Sequence, residues 1–155
     1  MSNDPMSGGC QCGAIRFTAG KLGRPSICHC RMCQKAFGGF FGPFVSADQA
    51  HLQWTRGAPN WFKSSNKVHR GFCQRCGTPL AYRHSGGLEL AIGAFDHPEK
   101  LEPQVQVNHS QRLPWIDRLF EKPVVEGEPY QSFFDSIESR QHPDHDTAQW
   151  PEEEK

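Results

Sequence analysis

Charge of one sign is not in excess in this sequence: 17 Lys and Arg face 17 Asp and Glu over 155 residues. That balance leaves no electrostatic footprint for nucleic acid or for an anionic membrane surface. Long apolar runs are missing as well, because no stretch approaches the ~20 residues of a membrane-spanning helix. The opening residues, Met1 to Gly9, are small and polar, with neither a basic start nor an apolar stretch. No signal peptide is read there, and the expected compartment is the cytoplasm. Apolar residues of every kind are scarce, at 36% of the chain, while glycine and proline number 15 and 12. Globular chains usually run at about 45–50% apolar. A single domain of this length and composition buries a modest core and needs staples beyond apolar burial.

Cysteine is present in their place. Seven fall in three clusters: Cys10-Gln11-Cys12, Cys28-His29-Cys30-Arg31-Met32-Cys33 and Cys73-Gln74-Arg75-Cys76. In a regular strand the two side chains of Cys10-x-Cys12 share a face about 6.6 Å apart. Sulfurs sharing a zinc at ~2.3 Å lie closer, on the order of 3.8 Å. The segment must therefore bend, and Gly8, Gly9 and Gly13 supply the backbone freedom. Cys73-x-x-Cys76 followed by Gly77 is a knuckle that grips a cation around a tight turn. The two pairs make a complete four-thiolate set joining distant parts of the chain. Zinc held in this way contributes on the order of 10 kcal/mol to folding, comparable with the net stability of a domain.

The central cluster differs in kind. Cys28, Cys30 and Cys33 supply three corners of a tetrahedron from one short segment, and no fourth cysteine remains. In an extended Cys28-His29-Cys30, His29 points away from the sulfurs. Water, a substrate thiol or a distant side chain such as His109 then fills the last corner. Spacing alone leaves other readings open. Disulfides would leave one cysteine over and strain the adjacent pair. An iron–sulfur cluster fits the four-thiolate set, a second zinc closed by a histidine would be purely structural, and partitions that mix the clusters also remain. The favoured reading is two zincs, one closed by four thiolates and one left open by three. A soft, thiolate-rich site is poorly suited to making hydroxide from water but accepts another sulfur. A thiol entering it loses its proton. The predicted chemistry is the making or breaking of a carbon–sulfur bond.

Around the clusters the pattern is mostly β. Strands are expected over Ala14–Thr18, His51–Trp54, Trp61–Ser64, Val68–Phe72 and Gln104–Asn108, with Phe40–Ser46 as an aromatic strand. Pro79–Arg83 and Leu88–Ile92 read as a hairpin across residues 84–87. Gly20–Pro25 reads as a turn, Ile27–Cys30 as extended and Arg31–Ala36 as a helical turn ended by Gly38-Gly39. Leu113–Phe120 reads as a short helix with Pro114 in its first turn. The expected organisation is a flexible start over 1–7, one zinc domain over 8–135, and a flexible polar tail over 136–155. The tail histidines, His142 and His145, read as exposed and without structural role.

Three motifs carry a resemblance: Gly8-Gly9-Cys10-Gln11-Cys12-Gly13-Ala14-Ile15-Arg16-Phe17, Cys28-His29-Cys30-Arg31-Met32-Cys33-Gln34-Lys35, and Arg70-Gly71-Phe72-Cys73-Gln74-Arg75-Cys76-Gly77-Thr78-Pro79-Leu80. His109 with Pro114-Trp115 adds a weaker match. In this order they resemble the family of glutathione-dependent formaldehyde-activating enzymes, which also includes centromere protein V-like domains. The likeness runs from about Gly8 to Tyr130.

It implies a mainly β fold, an antiparallel β-tent related to zinc ribbons, with short helical segments. It implies two Zn2+ per chain: a structural one on Cys10, Cys12, Cys73 and Cys76, and a catalytic one on Cys28, Cys30 and Cys33. Glutathione is implied as the thiol co-substrate. The implied reaction is its addition to formaldehyde, giving S-hydroxymethylglutathione, in the carbon–sulfur lyase class, or the same step on a related thiol/carbonyl pair. Partners are then a small thiol and an aldehyde or thioether, with no nucleic acid and no membrane. His109 is read as the general acid, with Trp115 near the site. Arg16, Lys35, Arg70 and Arg75 read either as contacts for glutathione's carboxylates or as surface charges. Phe37, Phe40, Phe41 and Phe44 read either as pocket lining or as core. The alternative class is a zinc-stabilised, non-catalytic binding module, as the centromere-type relatives suggest. Such modules would be expected to use basic extensions, whereas the tail here is acidic at Glu152-Glu153-Glu154.

Overall fold

The computed structural model describes residues 4–150. Among them the chain forms β1 (Met6–Gly9), β2 (Arg16–Ala19), β3 (Leu22–Cys28), helix α1 (Arg31–Phe37), β4 (Gly42–Ala47) and β5 (Leu52–Arg56). Then follow β6 (Asn60–Lys63), β7 (His69–Phe72), β8 (Pro79–His84), β9 (Gly87–Ala91), β10 (Val105–Val107) and helix α2 (Tyr130–Asp135). The architecture is mainly β, as expected, in two sheets. The smaller has the order β1-β2-β5 and the larger β10-β3-β4-β9-β8-β7-β6. Every pairing is antiparallel except that of β10 with β3, which is parallel. No helix among the described residues is long and apolar enough to cross a membrane.

Strand periodicity divides the larger sheet into two faces. Adjacent strand residues point to opposite sides, so Val45 and Phe44 on β4 separate, as do Ala81 and Tyr82 on β8. Val45, Ala81 and Leu90 join the main core with Phe17 and Leu80. There Phe17 meets Trp54 and Phe95 edge-on, with ring centroids 5.6 and 5.1 Å apart. Phe44 instead joins Cys28 and Cys33, with Phe37 and Tyr82 packed beside them. Cys10 and Cys73 belong to the main core. The two cysteine clusters therefore occupy opposite faces of the same sheet.

Several local expectations are corrected. The turn expected over Gly20–Pro25 is confined to its start, where Lys21 takes φ 48°, and β3 already runs from Leu22. Pro25 sits at an irregularity, where the register with β4 slips between Leu22 and Pro25, the kind of position at which a strand tolerates proline. β1 opens at Met6, ahead of the boundary expected at residue 8. The helix expected over Leu113–Phe120 is a 3-10 segment, Ile116–Glu121, kinked at Arg118. Helix α2 had no sequence signal, and Phe120, Val124, Phe133 and Phe134 around it are exposed.

The polar C-terminal stretch docks on the domain. His142 is only 3% exposed, against the sequence expectation, and its backbone N–H donates to Gln11 O at 2.8 Å. Arg56 donates to Thr147 O at 2.6 Å, and the Trp150 ring lies 4.6 Å from that of His142. This docking runs through the half-buried Arg56 and backbone carbonyls, which leave no apolar period to read. His145 is exposed. Glu152-Glu153-Glu154 lies outside the described residues.

The same stretch reaches a buried ion pair. Arg16 and Asp96 are joined by two bonds, 2.7 and 2.6 Å, and Asp146 meets Arg16 from outside at 2.7 Å. Burial pushes the Asp96 carboxyl up, but the bonds from Arg16 and Ser7 outweigh it and hold it below the ordinary carboxylate value. A depressed carboxylate stabilises the fold above its unfolded pKa of about 3.9, and that stability is lost as pH falls through the folded value. Asp96→Asn is expected to cost about 3–5 kcal/mol at neutral pH by leaving a buried cation short of its partner. Urea unfolding checks this, and the gap from the wild type should close as the pH drops below about 4.

Candidate metal centres

The four-cysteine cluster is built by two turns. Gly13, at φ 72°, lets Cys10-Gln11-Cys12 fold back, with its N–H on Cys10 O at 3.0 Å. A side chain at residue 13 would also run into the His142 ring. Gly77, at φ 78°, closes the knuckle through its N–H to Cys73 O at 2.8 Å. Cys10 and Cys12 Sγ are 3.6 Å apart, Cys12 and Cys73 Sγ 3.8 Å apart, and all four sulfurs lie within 4.8 Å of one another. These spacings match the ~3.8 Å edge of a zinc–sulfur tetrahedron. Ile15 N–H donates to Cys10 Sγ at 3.2 Å, and Thr78 Oγ1 lies 3.1 Å from Cys76 Sγ. Burial pushes the Cys10 thiol up. Burial also opposes ionisation of Cys76, but the bonds from Thr78 outweigh it and the thiol falls to about 6.

The three-cysteine cluster sits where β3 passes into α1. Cys28 ends the strand, Cys30 is the helix N-cap, and Cys33 lies in the first turn. As a cap, Cys30 Sγ accepts from Cys33 N–H at 3.4 Å. Gly38, at φ 60°, closes the other end of this short helix. The three sulfurs lie within 4.8 Å of one another, and no His, Asp or Glu among the described residues joins them.

Each sulfur receives at least one N–H, and Cys28 also takes the Cys30 backbone N–H. Asn108 Nδ2 donates to Cys28 at 3.4 Å, the Cys33 backbone to Cys30 at 3.4 Å, and Arg70 Nη2 to Cys33 at 3.5 Å. The bond shared with Cys33, helped by Asn108, draws the Cys28 thiol down to about 5. The same neighbour, Cys28, together with burial, pushes Cys33 well up. Three thiols this close cannot all ionise on their own, and a dication among them removes that conflict. All seven cysteines are unpaired thiols. The donor sets of both clusters fit zinc in ligand softness and spacing.

The remaining sequence-predicted residues divide. His109 is exposed in the 3-10 turn after β10, directly after Asn108, and does not join the sulfurs. Its ring meets that of His29 edge-on, 6.0 Å between centroids. His29 does turn from the sulfurs: Nε2 bonds Gln106 Oε1 at 2.8 Å, and the ring is buried. Phe44 is core and meets Phe37 edge-on at 5.2 Å, while the half-exposed Phe40 meets Trp115 edge-on at 4.9 Å. Arg16 is committed to its carboxylates. Lys35 is exposed on α1, and Arg75 is exposed beside the other cluster. A hollow of about 410 Å³ opens beside the four-cysteine cluster, away from the three-cysteine face. Asn108 and Tyr82 had no signal in the sequence. The parallel register of Val107 with Cys28 is what delivers Asn108 to the site.

A crystal structure of a Rhodobacter sphaeroides protein shares the fold, with a TM-score of 0.52 at 18% identity, over 66% of this chain and 100% of that one. No curated protein sequence matches significantly. The family model described as glutathione-dependent formaldehyde-activating enzyme matches residues 5–111, a span containing both cysteine clusters. The chain therefore belongs to the family of glutathione-dependent formaldehyde-activating enzymes.

Proposed function

We propose that the protein is a zinc-dependent enzyme of the carbon–sulfur lyase type that joins glutathione, or a related thiol, to formaldehyde or a related carbonyl. The observation that carries this reading is the cluster of Cys28, Cys30 and Cys33, three sulfurs with no fourth protein ligand among the described residues. Cys10, Cys12, Cys73 and Cys76 are assigned to a second, structural zinc. Zinc held by Cys28, Cys30 and Cys33 would supply a Lewis-acidic position that favours the thiolate form of an incoming thiol.

The chain's own residues do the rest. Asn108, Arg70 and the start of α1 hold the three sulfurs in place through their N–H donors. Phe40 and Trp115 offer an apolar edge beside α1. In the forward step the substrate sulfur bonds to the carbonyl carbon, the π electron pair moves to oxygen, and a proton is delivered there. His109, exposed next to Asn108, is assigned to deliver it. In reverse the carbon–sulfur bond breaks and the oxygen gives up its proton.

The test is NMR exchange on a panel of thiols and aldehydes, with Cys28→Ser as the control. The wild type should accelerate exchange between hydrated formaldehyde and its glutathione adduct, and the variant should run at the uncatalysed rate. Equal exchange in the two proteins would leave a zinc-stabilised binding module as the function.

A further inference from the structure

Two arginines are buried in this fold, and they are treated differently. Arg16 has two carboxylate partners. Arg70, 9% exposed, has no ion pair with any carboxylate among the described residues. Its Nε donates to Ser64 Oγ at 3.2 Å, its Nη2 donates to Cys33 Sγ at 3.5 Å, and its guanidinium lies 5.0 Å from the centre of the Tyr82 ring. Arginine stays charged in proteins, and a buried charge requires an opposite one. Among these contacts, only the cysteine cluster can carry a full negative charge near neutral pH.

We propose that Arg70 is the counter-charge of the three-cysteine site, a positioning residue that lets three thiolates and an anionic fourth ligand share one metal ion. The proposal rests on the zinc reading above. Three thiolates around a dication leave one net negative charge, and Arg70 cancels it. A fourth sulfur, arriving as thiolate, then brings the site to one negative charge instead of two. At the other cluster the Ile15 backbone N–H on Cys10 and the Thr78 hydroxyl beside Cys76 are neutral. Asn108 is neutral too, and it reaches Cys28 from a left-handed backbone at φ 54°, a conformation asparagine tolerates better than most residues. Of the N–H donors at the Cys28–Cys33 cluster, only Arg70 contributes charge as well as orientation.

The experiment is chelator competition on the zinc-loaded full chain, resolving the two ions by affinity. Arg70→Met should weaken one ion about 10- to 100-fold, the range expected on losing a partner of a metal ligand, and leave the other unchanged. Arg70→Lys keeps the charge and loses the planar fork, so it should recover most of that loss. Asn108→Ala, which removes a neutral donor, should cost less than Arg70→Met. A merely structural arginine would lower the melting temperature in both Arg70 variants while leaving both affinities alone. Wild-type affinity for both ions in a folded Arg70→Met protein would overturn the proposal. If that variant does not fold, Arg70→Lys decides: a folded Lys protein that holds only one ion overturns charge as the cause. A wild-type chain that binds a single ion overturns this proposal together with the zinc reading. Because the readout is metal affinity and not turnover, the proposal stands or falls separately from the aldehyde reaction.

Discussion

Cys73→Ser is expected to unfold the domain and to release metal from the four-cysteine cluster. Cys73 is 1% exposed and packs in the main core with Cys10, Phe17 and Leu80. Through it the knuckle after β7 is tied to the turn between β1 and β2, so the smaller sheet is fastened to the larger one. A structural zinc of this kind contributes on the order of 10 kcal/mol, and whole domains are stable by about 5–15 kcal/mol. With only 36% of its residues apolar, the chain has little reserve to absorb that loss. Circular dichroism and metal analysis on the purified variant check the expectation. A soluble Cys73→Ser protein with a cooperative melt close to that of the wild type would show that the cluster is not a staple.

Cys30→Ser is expected to do the reverse, removing one ion and the activity while keeping the fold. Cys30 is part-exposed and caps α1, and serine is among the best N-cap residues, so the helix start is preserved. The cluster it belongs to lies on the outer face of the larger sheet, in a small group with Phe44 and Tyr82 and apart from the main core. Turnover in the thiol–aldehyde assay should fall below about 1% of the wild type, a loss of more than about 2.7 kcal/mol of transition-state stabilisation. The melting temperature should move by only a few degrees, roughly what 1 kcal/mol produces in a domain of this size. Loss of both ions with unfolding would end the division of labour between the two clusters. The contrast between the two serine variants is the sharper test, since the chemical change is the same and only the face of the sheet differs.

The legible parts of this chain were those with short-range causes. Cys-x-Cys and Cys-x-x-Cys followed by glycine constrain sulfurs within a few residues of each other, so spacing favoured a partition of the seven cysteines into four and three while leaving mixed partitions open. The turn at Gly77 and the helix stop at Gly38 carry φ values of 78° and 60°, which glycine reaches without strain. The hairpin of β8 and β9 followed from alternation, with Leu88 and Leu90 inward and Glu89 between them. Other features had no local cause. His142 looked like a tail residue because nothing in its neighbours signals that Gln11 O awaits its N–H. In the sequence Arg70 is one of four basic residues suited to carboxylate contacts, and its neighbours do not distinguish it from Arg16 or Lys35. Burial and the approach of Cys33 do.

By itself the sequence determined which thiols are available to hold metal and that the fold is mainly β, and its spacing favoured a grouping of four and three that the structure brings together. Only the tertiary structure decided that the two sets lie on opposite faces of one sheet, and that Asn108, Arg70 and a helix cap each give one N–H to the three sulfurs. The physical reason is range. Ligand spacing and turn chemistry act within a few residues, whereas the parallel pairing of β10 with β3 and the burial of a lone guanidinium depend on strands brought together from across the chain.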